Sequence, residues 1–594
     1  MTFQELKRNL KKDRTGFARV KLAVLGDSAT QLLVQAIRGA GYDRQLDITV
    51  YEADFNQVDR QICDHGSELY SFGPEIVVIF ESGHALLQKY NTTGIHERAG
   101  FADIQLRRIQ RLIAALQSTR NTPVIYFNYP EEDDRVFGNF ANKVPSSFIY
   151  QQRKLNYLLA EYAAANAGLF IHDLSTIQNK IGHDRLFSPS IYVNSGMVVS
   201  IDALPAVAES MVRMIAAIRG QILKCLILDL DNTLWGGVIG DDGFDHIQIG
   251  GLGIGRAFTE FQHWVKKLQQ RGIILCICSK NTAPVAREPF EKHPDMTLRL
   301  SDIVVFMVNW ENKADNIRHI QQILNIGFES MVFLDDNPYE RDMVRNHIPH
   351  ITVPDLPKDP ADYLEHLYAL NLFETASYSS EDIKRTEQYQ KESERALARE
   401  SFAKEEDFLQ GVNMFSEVSA FDSYSVPRVA QLSHRTNQFN TRAVRYTESE
   451  VRGMADSDRY VTLAFTLEDK YGDYGLISAV ILEKTAPSEL FIDSWFMSCR
   501  VFNRGMENFV MNHIVEAAES RGCRMIVGEY IPTGKNMLVK DIFAKYGFIQ
   551  RDQLWHLDTS QYAAKACFIS RLPQRCASTT VQPDRSDQGI KSSR

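Results

Sequence analysis

The sequence contains no segment that would place it in a membrane. No apolar run approaches the roughly 20 residues that a membrane-spanning helix requires. The N-terminal residues are charged and include no apolar stretch of the kind that forms the core of a signal peptide. We therefore expect a cytoplasmic protein without a membrane segment.

The sequence also has few cysteines and carries no net positive charge. Eight cysteines are scattered over 594 residues, none of them in a CxxC pair, and Cys276 and Cys278 share one apolar run. This usage is typical of free thiols in a reducing compartment rather than of a disulfide framework. The formal net charge of −9 argues against a general nucleic-acid-binding protein.

The chain has enough apolar sequence for several hydrophobic cores. Its composition is 44% apolar and 24% charged, as in globular proteins, and its length exceeds what one core usually supports. The pattern along the chain predicts five segments. These are a first unit at 1–220, a second at 221–375, a charged helical linker at 376–410, a third unit at 411–572 and a disordered polar tail at 573–594.

Strand and helix patterns alternate in the first unit, which predicts a parallel α/β sheet. The apolar runs that we expect to be strands are residues 20–25, 48–53, 75–80, 123–128 and 169–174. The first run ends in Gly26-Asp27-Ser28, which resembles the SGNH hydrolases, where that serine is the nucleophile. Their usual D-x-x-H is absent, since Asp202 is followed by Ala-Leu-Pro.

Two readings of Ser28 therefore remain. His84 and His172 are possible substitutes for the missing base, although they lie elsewhere in the sequence. The alternative is a tight turn in which Ser28 caps the following helix. We favour the second reading, and so predict an SGNH-like first unit that is not an active esterase.

The second unit is built around L-I-L-D-L-D-N-T-L-W-G-G, residues 226–237. An apolar run ends at Asp229, and Asp231 and Thr233 follow at two-residue spacing. Two further apolar runs end at Ser279-Lys280-Asn281 and at Asp335-Asp336, and Lys313 opens a helical stretch. Parallel α/β sheets carry their chemistry beyond the carboxyl ends of the strands, so we expect these groups to form one site.

These residue types fit phosphoryl transfer. Asp229 is a candidate nucleophile that would form an aspartyl-phosphate, and Asp231 would protonate the leaving oxygen and then activate water. Carboxylates and water are the ligands that Mg²⁺ prefers. The predicted metal ligands are Asp229, Asp231, Asp335 and Asp336, and the predicted phosphate-binding residues are Thr233, Ser279, Lys280, Asn281 and Lys313.

The order D-x-D-x-T, Ser, Lys, D-D resembles the haloacid dehalogenase (HAD) superfamily, which implies a HAD-like Rossmannoid domain. A closer resemblance is to the FkbH-like family, and it is carried by the segments C-S-K-N, N-W-E-N-K-A-D-N-I and F-L-D-D-N-P. The resemblance continues in the third unit, in the segments T-N-Q-F-N and S-C-R-V-F-N-R-G-M-E. This resemblance implies an enzyme that takes a three-carbon unit from 1,3-bisphosphoglycerate, removes phosphate and loads glyceryl as a thioester on the phosphopantetheine arm of an acyl carrier protein.

The sequence pattern of the third unit predicts an α+β domain, with strands at 460–467, 476–482 and 490–498 and helices at 506–520 and 537–546. The segment Arg500-Val-Phe-Asn503-Arg504-Gly505 resembles the phosphate-binding turn of GNAT acyltransferases, which implies a GNAT-like domain. Asn503 stands where that turn has glycine, which leaves coenzyme A binding open.

Cys499 is the candidate acyl carrier of the third unit. A thiolate attacks an acyl phosphate to give a thioester, and Arg500 and the following helix N-terminus would favour the thiolate. The alternative is a small buried core residue. The FkbH-like resemblance favours the acyl-carrying role, because the family's proposed cysteine falls in this S-C-R motif. The predicted acyl- or pantetheine-binding residues are Asn437, Gln438, Asn440, Asp473, Arg500, Asn503, Arg504 and Gly505.

Two other functions remain open from the sequence. One is a HAD phosphatase fused to an acyltransferase that acts on a different acyl donor, such as a coenzyme A thioester. The other is a non-catalytic partner in the assembly of a biosynthetic pathway.

Overall fold

The computed structural model of the chain describes residues 1–119, 122–399, 409–502 and 504–572. Three sheets organise these residues, two of them wholly parallel and one mainly antiparallel. The structure is therefore multidomain α/β, as the sequence predicted. No helix in the described ranges is long and apolar enough to cross a membrane.

The first sheet has five parallel strands in the order β2-β1-β3-β4-β5, which is the flavodoxin-like order. Its strands are short apolar runs, because helices cover both faces. The strands are β1 Ala18–Gly26, β2 Leu46–Glu52, β3 Ile76–Phe80, β4 Val124–Phe127 and β5 Leu169–His172. The helices are α1 Phe3–Asn9, α2 Gln31–Ala40, α3 Val58–Cys63, α4 Glu68–Phe72, α5 Gly83–Thr92, α6 Phe101–Thr119, α7 Phe148–Ala165, α8 Leu174–Ile181, α9 His183–Leu186, α10 Pro189–Ser195 and α11 Leu204–Ile218.

The second sheet has four parallel strands in the order β8-β7-β6-β9. Its central strands are fully buried between two apolar clusters, one on each face. The strands are β6 Cys225–Leu228, β7 Ile274–Ser279, β8 Ile303–Val308 and β9 Met331–Leu334. The helices are α12 Ile239–Asp242, α13 Gly255–Gln270, α14 Ala283–Lys292, α15 Lys313–Leu324, α16 Pro338–His347 and α17 Tyr363–Leu370.

The third sheet has nine strands and is antiparallel except where β14 pairs with β15 and β10 pairs with β18. Its strands are β10 Met414–Ser416, β11 Val418–Ser419, β12 Tyr460–Asp469, β13 Gly472–Ala486, β14 Glu489–Met497, β15 Met525–Glu529, β16 Ile549–Arg551, β17 Leu554–Asp558 and β18 Ile569–Arg571. Its helices are α20 Ser425–Arg435, α21 Glu448–Ala455, α22 Met506–Ser520 and α23 Ile542–Lys545. The helix expected at 537–546 is instead a 3₁₀ turn, Met537–Val539, followed by the single turn of α23.

The expected linker contains helices α18 Ser380–Ile383 and α19 Arg385–Arg399. The second of these packs against the middle unit rather than standing in solvent. Tyr389 is buried in the apolar cluster beside β6 and β9, and Gln390 Nε2 donates to the carbonyls of Ser301 at 2.9 Å and Ile303 at 3.1 Å. The expected tail, 573–594, lies outside the described residues and stays a prediction.

The third unit contacts the other two at the beginning of the middle unit. Asn437 Nδ2 donates to the carbonyl of Gly220 at 2.9 Å, and Lys224 Nζ donates to the carbonyl of Arg435 at 3.1 Å. Gly220 has a φ of +75°, and a Cβ at this position would lie 2.3 Å from the carbonyl oxygen of His434. Glycine is therefore required where the chain leaves α11, because only glycine combines this backbone with so close an approach.

Candidate functional site

Asp229 follows β6 directly and is buried at the carboxyl end of the second sheet. Its Oδ1 lies 2.9 Å from Nζ of Lys313, the first residue of α15, and the same ammonium donates to Asp335 Oδ2 at 2.7 Å. Asp335 follows β9, the neighbour of β6 in the sheet. Three side chains that are far apart in the sequence therefore meet, because parallel strands end at one edge.

Three carboxylates form the candidate metal centre. One oxygen from each of Asp229, Asp335 and Asp336 lies within 4.8 Å of the other two. Mg²⁺ is usually held by one or two protein carboxylates together with water and substrate phosphate oxygens, so this set of donors fits it. The carboxylate of Asp231, which the sequence placed in this set, is not part of the cluster.

Burial raises the pKa of two carboxyl groups of this cluster. It raises the pKa of Asp335 to about 7 and that of Asp336 to about 6, and the Asp229 charge adds to both effects. Lys313 opposes these shifts, and the carboxylates in turn hold the pKa of Lys313 above its usual range despite burial. One buried ammonium thus faces three acidic side chains, and this excess of acidic groups favours the binding of a metal cation.

The Asp231 carboxylate is held by three donors instead. Its Oδ1 accepts from Trp235 Nε1 at 2.9 Å and from the Ile239 amide at 3.0 Å, and its Oδ2 accepts from Asn281 Nδ2 at 3.0 Å. Burial raises the pKa of Asp231, with Asp229 adding to the effect. A fixed carboxyl group with a raised pKa beside Asp229 can both give and take a proton, as the role predicted for Asp231 requires.

The predicted phosphate-binding residues divide into two groups. Ser279 lies buried at the end of β7, and the hydroxyl of Thr233 accepts from the Asp336 amide at 3.2 Å. Lys280 and Asn281 are engaged elsewhere, because Lys280 Nζ donates to Glu340 Oε1 at 2.7 Å and Asn281 holds Asp231. Lys313 is therefore the lysine that the structure brings to the carboxylates.

The sequence did not single out the residues that hold the Asp335-Asp336 loop. Arg341 is buried, and its Nη1 donates to the carbonyls of Asp335 at 2.8 Å and Asp336 at 2.7 Å. The amide of Asn337 donates to Asp335 Oδ1 at 2.9 Å. The F-L-D-D-N-P motif contains Asn337, but only the structure reveals the part that Arg341 plays.

A second candidate site surrounds Cys499. This residue begins the 3₁₀ turn Cys499–Val501 just after β14, and its Sγ lies 3.8 Å from the hydroxyl oxygen of Tyr389. Its carbonyl accepts from Asn325 Nδ2, of the middle unit, at 2.9 Å. The thiol is partly exposed. It lies at the interface between the middle and third units rather than inside one core.

A cavity of about 80 Å³ adjoins Cys499, and several cations line it. Lys224 reaches it from the residue before β6, and Arg385 from the start of α19. Burial lowers the pKa of Lys224 to about 8, although the Cys499 charge opposes the effect. The cations can pair with a thiolate, or with the oxygen anion of the tetrahedral intermediate that forms when a thiolate attacks an acyl group.

Asn437 and Gln438, two of the predicted acyl-binding residues, also line this cavity, and their acyl-binding role stays a prediction. The other predicted residues serve the third unit's own structure or lie away from the cavity. Asn440 is buried and fixes a loop, accepting from the Ala443 amide at 2.8 Å. Asp473 accepts from the Gly475 amide at 2.7 Å in the β12–β13 turn.

The turn before α22 differs from the predicted phosphate-binding loop. Arg504 is buried, with its guanidinium 4.5 Å from the centre of the Tyr474 ring and 3.4 Å from Asp469 Oδ2. Gly505 precedes α22 with a φ of +76°. Asn503 lies outside the described residues, and Arg500 is placed only as part of the 3₁₀ turn. The buried Arg504 is therefore a packing residue rather than a pantetheine ligand.

The predicted capping role of Ser28 is wrong. Helix α2 begins at Gln31 with Thr30 before it, and the buried Ser28 hydroxyl has no hydrogen-bond partner in the described part of the chain. Asp27 accepts from the Ser82 amide through both oxygens, at 3.0 and 2.9 Å. His84 packs against Phe187 with ring centres 4.0 Å apart.

Comparisons with known proteins agree with this architecture. Residues 21–216 match the family model described as the FkbH N-terminal domain. The crystal structure of the N-terminal part of the Bacteroides fragilis protein BF1531, containing a phosphatase domain complexed with Mg, shares 54% identity, with a TM-score of 0.61. The match covers 64% of this chain and 100% of that one.

Other similar structures are more distant. The Escherichia coli ribosomal-protein-S18-alanine N-acetyltransferase matches at 13% identity with a TM-score of 0.21, covering 26% of this chain and 99% of its own. The GNAT domain of S. lividans PAT matches at 20% identity with a TM-score of 0.19, and the match covers 24% of this chain and 89% of that one. Among curated proteins, none matches the chain.

Proposed function

Because this chain belongs to the family of the Bacteroides fragilis phosphatase-domain protein and carries an FkbH N-terminal domain, we propose that it couples phosphate hydrolysis to acyl transfer. The acyl donor is 1,3-bisphosphoglycerate, and the acceptor is the phosphopantetheine thiol of an acyl carrier protein. The observation that carries the phosphatase half is the Asp229–Lys313–Asp335 cluster at the end of β6.

The phosphatase step uses the two aspartates of the first motif. The Asp229 carboxylate attacks phosphorus and the bond to the ester oxygen breaks, while Asp231 gives its proton to that oxygen. Asp231 then takes a proton from water, whose oxygen attacks the aspartyl-phosphate, so that inorganic phosphate leaves and Asp229 is restored. Mg²⁺, held by Asp229, Asp335 and Asp336, would neutralise charge on the phosphate oxygens.

The transfer step uses Cys499. Its thiolate attacks the carbonyl carbon of the acyl phosphate, the bond from that carbon to the phosphate oxygen breaks, and inorganic phosphate leaves. The carrier's thiol, once its proton has passed to solvent, attacks the resulting thioester and displaces the Cys499 thiolate. Lys224 and Arg385 line the cavity where negative charge develops on the carbonyl oxygen.

Intact-protein mass spectrometry after incubation with 1,3-bisphosphoglycerate and Mg²⁺ tests this proposal. A glyceryl adduct should form on the wild type and pass to an added carrier protein, whereas Cys499→Ala should form none. If Cys499→Ala still carries the adduct and loads the carrier, Cys499 is not the acyl carrier. Acylation from coenzyme A thioesters but not from the acyl phosphate would instead favour a different acyl donor.

A further inference from the structure

A second and wider cavity shares lining residues with the cavity beside Cys499. Its volume is about 1360 Å³, and it lies between the first unit, which contributes Arg19 and Arg219, and the third unit, which contributes Arg445 and Lys535. Three side chains line both cavities, namely Glu329, Asn437 and Gln438. The two cavities are therefore neighbours on either side of these residues, which we call the neck.

Positive charge predominates around the neck. The two cavities together are lined by eight lysine and arginine side chains and by three glutamates. One of the glutamates, Glu75, forms an ion pair with Arg219. Outside the linings, Asp382 pairs with Arg385 and Arg435. The carboxylates are too few to balance the cations.

Three of these cations are partly buried without a carboxylate of their own. In the described ranges, no carboxylate lies within 4.0 Å of the charged nitrogens of Lys224, Arg445 or Lys535. The Lys224 ammonium donates to the Arg435 carbonyl at 3.1 Å. The Arg445 guanidinium donates to the Thr436 carbonyl at 2.9 Å and to Asn437 Oδ1 at 2.5 Å.

The pKa values of these three cations agree with their partial burial and with the lack of carboxylates beside them. Burial lowers the pKa of all three, and Lys535 adds to the effect on Lys224, as Arg445 does to that on Lys535. Glu329 opposes the shift at Lys535. Withdrawing a cation from water without a counter-ion costs free energy, and a bound anion would offset that cost.

We propose that Lys224, Arg445 and Lys535 form a binding site at the neck for the phosphate of a ligand whose reactive end reaches Cys499. This inference rests on the proposed acyl-carrying role of Cys499. A phosphate ester is the chemistry that the cations select, and two sources can supply it. One is the phosphodiester of a phosphopantetheine arm that enters through the wide cavity, and the other is the phosphate of the three-carbon donor. The first unit then serves as one wall of the entry path.

Protection of Cys499 from alkylation by iodoacetamide tests the site without any acyl transfer. The probes are the S-methyl thioethers of phosphopantetheine and pantetheine, which lack a competing thiol, and 3-phosphoglycerate. Alkylation of Cys499 is followed by peptide mass spectrometry in the full-length protein. The variants are Lys535→Gln, the charge-preserving Lys535→Arg and the control Lys540→Gln, whose side chain lines neither cavity.

The expected result is that a phosphate-bearing probe slows alkylation of the wild type at a concentration at least about tenfold below that of pantetheine thioether. Lys535→Gln should remove this preference, whereas Lys535→Arg and Lys540→Gln should keep it. Protection by phosphopantetheine thioether identifies the arm as the source, and protection by 3-phosphoglycerate alone identifies the donor. Equal protection by probes with and without phosphate, or an unchanged preference in Lys535→Gln, would overturn the site. Neither result depends on whether Cys499 accepts an acyl group, so failure of this site and failure of the proposed function are distinguishable.

Discussion

Lys224 and Asp229 stand at the two ends of one buried strand. Lys224 precedes the first residue of β6 and lines the cysteine cavity, and Asp229 follows the last residue and holds the phosphatase cluster. Five residues of extended chain span about 16 Å. The two candidate sites therefore lie beyond opposite ends of the same strand, and under the proposed function an intermediate has to leave one end to reach the other.

This separation predicts that the two half-reactions can be disabled independently. Asp229→Asn should lose hydrolysis of the phosphate ester but still form a thioester on Cys499, because the cysteine cavity lies beyond the opposite end of β6. The adduct should then retain its phosphate, which intact-protein mass spectrometry resolves. Cys499→Ala should keep hydrolysis of a generic phosphate ester within about twofold of the wild-type rate. Loss of both activities in either variant would contradict the assignment of two separate sites.

Lys313 should be essential to the middle unit, since it is the ammonium between Asp229 and Asp335. Lys313→Met should lower the phosphatase rate at least about 100-fold. Removing one partner of a buried ion pair should also lower the free energy of unfolding by roughly 3–5 kcal/mol without Mg²⁺. Urea unfolding with and without Mg²⁺ measures the second effect, and added Mg²⁺ should recover part of it.

Lys280→Met is the matched comparison for that variant. Lys280 pairs with Glu340 rather than with the aspartates, and its side chain is one-third exposed. Its replacement should cost about 1 kcal/mol or less and should leave most of the phosphatase activity. A loss as large as that of Lys313→Met would place Lys280 on the substrate phosphate after all.

The sequence predicted the phosphatase cluster better than the cysteine site for a physical reason. Asp229, Lys313 and Asp335 each stand at the end of a strand or the start of a helix, and the geometry of a parallel sheet brings such positions together. The geometry of a sheet does not bring the partners of Cys499 together in this way. Asn325 and Tyr389 are 174 and 110 residues away and belong to other elements, so only the packing of one unit on another brings them to the thiol.

The misplaced predictions share a cause as well. The R-V-F-N-R-G motif suggested a loop that holds phosphate, but Arg504 is drawn into the core by Asp469 and the Tyr474 ring. Ser28 suggested a helix cap, but α2 starts three residues later. In both places the motif locates a turn correctly, whereas the direction of each side chain depends on tertiary neighbours that a local pattern does not contain.

Gly220 should control how the third unit docks on the first. Gly220→Ala places a Cβ 2.3 Å from the His434 carbonyl oxygen at a φ of +75°, so the two units must separate locally. We expect faster alkylation of Cys499 by iodoacetamide, by about threefold or more, because its cavity lies beside this contact. Gly182→Ala is the control, since it has a φ of +87° and no atom within 4 Å of the new Cβ. Equal alkylation rates in the two variants would show that backbone strain alone, and not the His434 contact, matters.

The first unit should lose stability in mild acid because of His172. Its imidazole is fully buried and packs against Phe127 with ring centres 4.3 Å apart, and burial lowers its pKa from about 6.5 to about 4. The unfolded chain therefore binds the proton more tightly than the folded chain. The stability that the neutral ring contributes is fully present above about pH 6.5 and is lost as the pH falls towards 4. Between pH 7 and pH 5 the loss from this residue is about 2 kcal/mol.

His172→Leu should make the first unit less sensitive to pH over that interval, because leucine keeps the apolar contact and takes no proton. Urea unfolding at pH 7 and pH 5, with hydrogen exchange of peptides from β4 and β5 as the readout, compares the variant with the wild type. His96→Leu, which removes an exposed imidazole from the same unit, is the control. If His172→Leu and His96→Leu change the difference between pH 7 and pH 5 equally, the acid sensitivity arises elsewhere than from the ring that is buried against Phe127.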